Sequence, residues 1–492
     1  MIADSEYIFF IAYGVLCVVV CLALIKVQST ETLTITTTEF KIFQTNFLLG
    51  YMTVILGEVL CVASFFYVLT SLDLTLGQIT KLFIVSATSS TLFGVLSEIV
   101  DIGSRRDKCI LSAILYAIAT FSLFSGGHFE ILMLGRVVYG GGNVLLHSAF
   151  DAYMVHEHTT QGFPDDWLLH TFGRLAHSMT IVAIIAGILG QASSALFGPF
   201  GCVGLSCLLF IGIALFIGVK WNKDVSSSRF MLSGFTYSLG QMARAMRSNT
   251  QVVLVVGLST CAEAAILVFS FYWAPWIAGT FTSSALASAA PVSVLVDTSA
   301  GTSTEPVSGS GVAAGADGST AEELAGAETT HLMAAASTVP FILIYSTLMM
   351  SAMLGNYLYT LANPRYGNDI IFQALLATAA GAFFISAIVQ TPELVFLASI
   401  CVQVCSGGYW PSIGYLRGRY FLPEIRGVTV ALIRVLSLCI VVAILWMFHE
   451  SYFMVLMMCS ALNAVAMYLQ FTISQAELKS EANDILDDNA DA

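Results

Sequence analysis

Apolar residues in this chain come in long blocks separated by short polar stretches. The blocks fall at about 8–26, 46–70, 77–98, 109–126, 130–154, 169–195, 199–219, 250–279, 332–360, 368–389, 392–415, 427–447 and 451–473. A helix rising about 1.5 Å per residue needs roughly 20 residues to cross the hydrocarbon of a bilayer, and most of the blocks reach that length. The pattern predicts thirteen transmembrane helices, one leading helix and twelve more.

Composition agrees with that reading. Of 492 residues, 57% are hydrophobic and only 10% charged, with a mean hydropathy of +0.83. A soluble domain of this make-up would expose aggregating apolar patches, whereas a bilayer accepts it. The net charge of -13 says little about partners, because much of it sits in the acidic tail "ELKSEANDILDDNADA" (477–492) and in an acidic insertion. Nothing in the pattern suggests nucleic-acid binding. The 11 cysteines lie mostly within apolar runs and form no CxxC pair, so they read as small hydrophobes. "HEHTT" (156–160) is not the H-E-x-x-H zinc pattern, since Thr160 stands at the last position. With no nucleotide loop, nucleophile elbow or metal cluster, neither an enzyme nor a cofactor is expected. "MIADSEYIFF" lacks the basic start of a cleavable signal, so the first block is expected to be retained.

Charge placement orients the map. If 99–108 is cytosolic, fifteen of the 19 Lys and Arg residues fall on inner segments. The outer loops hold none, and only Lys81, Arg136, Arg174 and Arg434 fall within helices. The positive-inside rule then puts the N-terminus outside and the C-terminus in the cytosol. The expected organisation is a leading helix and linker (1–42), a six-helix bundle (43–219), a cytosolic inter-bundle linker (220–249), a second six-helix bundle (250–473) and an acidic cytosolic tail (474–492). The Ser/Thr/Ala/Gly-rich segment 280–331 cannot bury a core and is expected to be a disordered external insertion. Two bundles of six suit a transporter that rocks about a central site.

Chemistry concentrates in "LGRVVYGGGNVLLHSAFDAYMVHEH" (134–158). At 100° per residue Arg136, Gly140, Asn143 and His147 lie within about 40° of one line, with Asp151 close by. An arginine in mid-membrane costs several kcal/mol unless it faces a partner or a wet cavity. A stripe of polar side chains on an otherwise apolar helix suits a cavity wall, and a structural pair for Arg136 is the alternative. "YGGG" is read as a close-packing surface. Glu58 and Glu263 also lie deep in apolar runs, while Glu98, Asp151, Arg174 and Arg434 lie nearer helix ends. Cations with acids in one cavity fit anion binding, with proton coupling through a desolvated carboxylate. "FYWAPWI" (271–277) and "QVCSGGYWPSIGYLRGR" (403–419) read as helix interruptions that offer Tyr409 and Trp410 to a cavity, or as interfacial anchors.

Two stretches carry a resemblance. "GVLSEIVDIGSRRDK" (94–108) resembles the loop between the second and third core helices of the major facilitator superfamily, and "GRVVYGGG" (135–142) resembles its fourth-helix motif. Together with "FGVLSEIVD", "LLHSAFDAYMVHEH", "GFPDDWLLHTFGR", "FYWAPW" and "GGYWPS", they make the chain similar to the eukaryotic molybdate-anion transporter family from about Phe43 to "QAEL" (475–478). The resemblance implies an all-α rocker-switch fold of two six-helix bundles plus the leading helix, a molybdate-like substrate and residence in the plasma membrane. Arg136, Arg174 and Glu263 match family positions, Glu58 matches an acidic one, and Asp151 stands where the family usually has Glu. Asp101 and Arg105 fall in the loop motif as gating residues. Gln403 replaces a Glu, and "ALIRVLS" lacks the usual Asn and Pro around Arg434.

The expected function is secondary active transport of a small oxyanion by a monomer surrounded by membrane lipids. Arg136, Asn143, His147, Arg434, Tyr409 and Trp410 would bind it, and Glu58, Glu263, Asp151, Asp101, Arg105 and Arg174 would couple or gate. A carrier of a sugar or other neutral solute, and a non-transporting sensor or scaffold, are the competing readings.

Overall fold

The computed structural model describes residues 2–30, 37–101, 103–223, 229–230, 232–289, 339–389, 391–448 and 450–490. The insertion assigned to 280–331 lies outside them from residue 290 onward. Among the described residues thirteen helices are long and apolar enough to cross a membrane. They are α1 (Ile2–Thr30), α2 (Thr38–Ser71), α3 (Leu76–Ile99), α4 (Arg105–Phe121), α5 (Phe129–Thr160), α6 (Asp165–Phe197), α7 (Phe200–Lys220), α9 (Thr250–Ala289), α10 (Phe341–Tyr366), α11 (Asn368–Ile388), α12 (Pro392–Tyr420), α13 (Pro423–Phe448) and α14 (Tyr452–Ala490). A fourteenth helix, α8 (Leu232–Ser248), lies between the bundles.

Local chemistry sets several boundaries. Thr75 and Gln78 cap α3 reciprocally: Gln78 N–H donates to Thr75 Oγ1 (3.3 Å), and Thr75 N–H donates to Gln78 Oε1 (2.9 Å). The turn between α10 and α11 is one residue, Gly367, at φ 76°, a conformation that a Cβ would strain. Two expectations fail. The helix expected to start at residue 332 starts at Phe341, with 332–338 outside the described residues. The proline stretches do not interrupt: α9 runs through Pro275 and α12 through Pro411. A membrane helix tolerates the lost bond where neighbours pack closely. A Cβ on Gly407 of α12 would collide with the Ala352 carbonyl of α10, and one on Gly355 with that of Val404, so these helices touch backbone to backbone.

The apolar core has a telling distribution. All the basic loops lie at one end of the helices, called here the basic end. At the opposite end one continuous cluster joins both bundles, from Phe66 and Leu69 of α2 and Leu82 of α3 to Trp273 of α9, Phe341 of α10 and Phe396 of α12. At the basic end the core splits in two. One cluster belongs to the first bundle (Phe47, Phe150, Phe210 and neighbours), the other to the second (Val255, Phe372, Leu416 and neighbours). The bundles are fused at one end; toward the other their main cores are separate, bridged by a small cluster of α1, α6 and α10 (Val20, Ala183, Tyr357), with seams at α6–α10 and α3–α13.

Helix α1 covers the first seam. Tyr13 donates to the Ile184 carbonyl of α6 (2.6 Å), Cys17 contacts Met350 of α10, and Phe9 meets Phe396 of α12 edge-on at 4.8 Å. The linker is pinned too: Val100–Asp101 pairs antiparallel with Arg229–Phe230, and Met242 of α8 packs on Ile425 and Val428 of α13.

Candidate functional site

Arg136 sits seven residues into α5, just beneath the shared cluster, and is only 9% exposed. Its guanidinium lies between the rings of Phe65 (4.2 Å) and Tyr139 (4.1 Å), and one Nη donates to Ser86 Oγ at 3.1 Å. Its Nε is buried and makes no hydrogen bond among the described residues, and no carboxylate there comes within ion-pair distance. Two aromatic faces hold a cation by its flat sides and leave its edge for an acceptor. Ser89 of α3 fixes α5 by donating to the Val137 carbonyl (2.6 Å), and Gly140 leaves room for that contact, since a Cβ would strike Ser89 and Ser90.

Two turns along the same helix, Asn143 does not join Arg136. Its amide donates to Glu58 Oε1 of α2 (3.3 Å), and Tyr116 of α4 donates to the same oxygen at 3.1 Å. Glu58 is thus held by neutral donors within the first bundle. Tyr345 of α10 reaches across the boundary to pack on the cluster that contains Tyr139, and stands 5.5 Å from Trp273.

Toward the basic end His147 is exposed and Asp151 half-buried. His147 is eleven residues from Arg136, about 16 Å along the helix, so the two cannot grip one small anion together. Exposed Arg434 of α13 crosses to the first bundle, with an Nη 3.5 Å from where a Cβ on Gly94 would stand. Exposed Arg174 donates to Gln44 Oε1 of α2 (2.8 Å), and Gln44 in turn donates to Thr171. Arg105 opens α4, and Asp101 belongs to the two-residue strand; the side chains of Asp101 and Glu98 lie outside the described set.

The second bundle holds a different arrangement. Glu263 of α9, 8% exposed, forms an ion pair with Arg417 of α12 and accepts a hydrogen bond from Tyr409 (3.3 Å). The charge pattern alone sorts Arg417 onto an inner segment; it lies in the last turn of α12 and reaches inward to Glu263. Tyr409 is therefore committed to Glu263, while Trp410 beside it is 53% exposed. The usable signal was periodicity, since Gln403, Trp410 and Arg417 recur every seven residues on one face of α12.

A family profile described as sugar transporters with 12 transmembrane segments matches residues 7–288, more than half of the chain. The chain is also similar to molybdate-anion transporters. It is 27% identical to the Xenopus tropicalis protein over 353 residues, 71% of this chain and 66% of that protein. It is 22% identical to the Takifugu rubripes protein over 467 residues, 87% and 84% of the two chains. The chain thus spans just under two thirds of the length of the first of these relatives. The chain belongs to the major facilitator family of transporters with 12 transmembrane segments that the profile describes.

Solved structures agree on the fold of this family member. The nucleoside transporter NupG superposes with a TM-score of 0.57 at 13% identity, over 88% of this chain and 99% of its own. A D-xylose–proton symporter superposes with a TM-score of 0.53 at 11% identity, over 88% and 98%. The protein is a multi-pass membrane protein of two six-helix bundles plus a leading helix.

Proposed function

We propose that this protein is a secondary active transporter that moves a small oxyanion, molybdate foremost, by alternating access. The observation that carries the reading is Arg136. It is a buried cation with no carboxylate partner among the described residues and a free Nε, at the point where the two cores merge. A dianion leaving water needs charge-assisted donors in such a place. The split core at the basic end supports an inward-facing state, with that end cytosolic and the N-terminus outside at the plasma membrane. Arg434 and His147, lower in the cleft, act as an entry station, and Arg136 as the terminal one. Glu58, beside Asn143, is the coupling acid of the first bundle. Glu263 with Arg417 serves the second bundle as a gate pair, and Arg105, Asp101, Arg174 and Asp151 act at the basic end.

Uptake of labelled molybdate into cells with and without the protein, with sulfate as competitor, tests this. Protein-dependent uptake that Arg136→Gln abolishes is expected. Glu58→Gln is expected to remove its dependence on external pH. The family profile's description favours a second reading, a neutral solute bound through Asn143, Gln403 and Trp410. In that case Arg136→Gln leaves uptake intact.

A further inference from the structure

A half-open cavity of about 270 Å³, with both polar and apolar walls, lies within the first bundle at its basic end. The first turns of α2 (Glu39, Ile42, Asn46), the last turns of α5 (Tyr153, Glu157) and the end of α7 with the residues after it (Lys220, Trp221) build it. Its volume is just below the usual small-molecule range of about 300–1,000 Å³, which suits a headgroup-sized occupant.

Three of its groups are left with an electrostatic or hydrogen-bonding demand unmet among the described residues. Glu157 is only 7% exposed, yet no cation among the described residues comes within ion-pair distance. The hydrogen bonds it accepts, from Gln161 (2.7 Å) and Asn222 (2.8 Å), fall on one carboxylate oxygen. The nearby cation Arg106 is turned to Asp107 and to the Trp221 carbonyl. The Trp221 indole N–H is buried without an acceptor, and Lys220 at the rim has no ion-pair partner there either. A buried carboxylate without a cation is costly, so the cavity is built for an occupant that brings a positive group.

We propose that this cavity binds the ammonium-phosphate headgroup of a zwitterionic phospholipid carrying a primary amine. The ammonium donates to the free Glu157 oxygen and the Asn46 amide oxygen. The phosphate meets Lys220, and a headgroup oxygen satisfies Trp221. The aromatic rings do not form a cage for a quaternary ammonium, because Trp221 is stacked against Tyr153 at 4.3 Å and Phe47 at 5.7 Å. That favours a primary amine, which can hydrogen-bond, over choline. The source is a lipid rather than a free solute because the rim continues into an apolar face. Ile42, 59% exposed, and Leu49 lie on the side of α2 that carries Asn46, and they offer a track for an acyl chain.

The test is native mass spectrometry of the full chain released from detergent with phosphatidylethanolamine, phosphatidylcholine or phosphatidylglycerol added in turn. The wild type is expected to retain phosphatidylethanolamine at least tenfold better than either other lipid. Glu157→Gln, which still accepts from Gln161 and Asn222, and Lys220→Gln at the exposed rim should each lower retention about tenfold with unchanged thermal melting. Equal retention of the three lipids, insensitivity to both substitutions, or displacement by soluble phosphoethanolamine as effective as by the lipid would overturn the assignment. Lipid retention is read without transport, so this result stands apart from the oxyanion assay.

Discussion

Each bundle holds an inward-reaching arginine and a buried or half-buried glutamate, and the two bundles treat these charges in opposite ways. In the second bundle Arg417 and Glu263 are joined, with Tyr409 donating to the same carboxylate. In the first bundle Glu58 takes neutral donors, Tyr116 and Asn143, while Arg136 lies apart between two rings with its Nε unsatisfied. A joined pair has its electrostatic demand met inside the protein and works as a structural or gating bond. A cation kept from its acid retains that demand for something that arrives. The contrast separates a residue that holds the bundle together from one that holds cargo.

The largest expected effect breaks the joined pair. Arg417→Ala leaves Glu263 buried and uncompensated, and should destabilise the fold by about 3–5 kcal/mol, read as a lower melting temperature in detergent. The double variant Arg417→Gln with Glu263→Gln should recover most of that loss. Next comes Arg136→Gln. Because it strands no carboxylate, melting should stay near wild type while kcat/KM for oxyanion uptake falls at least 100-fold, about 2.7 kcal/mol. A melting loss as large as that of Arg417→Ala would erase the distinction. Arg136→Lys keeps charge but loses the flat fork, so uptake should fall about tenfold. The smallest effect is Tyr116→Phe, which takes one donor from Glu58 and should lower stability by about 0.5–1.5 kcal/mol, measured by denaturation in micelles.

The fold was largely legible in the chain because a bilayer imposes a coarse rule, namely apolar blocks of fixed length and cations on one side. Even "YGGG" declared its role: Gly140 opens onto Ser89, and Gly142 onto Tyr116. The site was legible in part. Helical periodicity put Arg136, Asn143 and His147 on one stripe, but it cannot say how far a side chain turns. Asn143 swings to Glu58, and the rise per residue keeps His147 out of reach of Arg136. Arg417 went unseen because the charge rule sorts a cation near a helix end into the loop, whereas its side chain runs back into the membrane to Glu263. The prolines misled for a related reason. Their tolerance in α9 and α12 depends on neighbouring backbones such as that of α10, which one helix cannot reveal.

The most direct test of the central claim is equilibrium binding of labelled molybdate to the purified protein, without transport, in wild type, Arg136→Gln and the charge-free Arg417→Gln/Glu263→Gln double variant. Saturable binding lost at least 100-fold only in Arg136→Gln, and kept in the double variant, is the predicted result. Wild-type affinity in Arg136→Gln would contradict it.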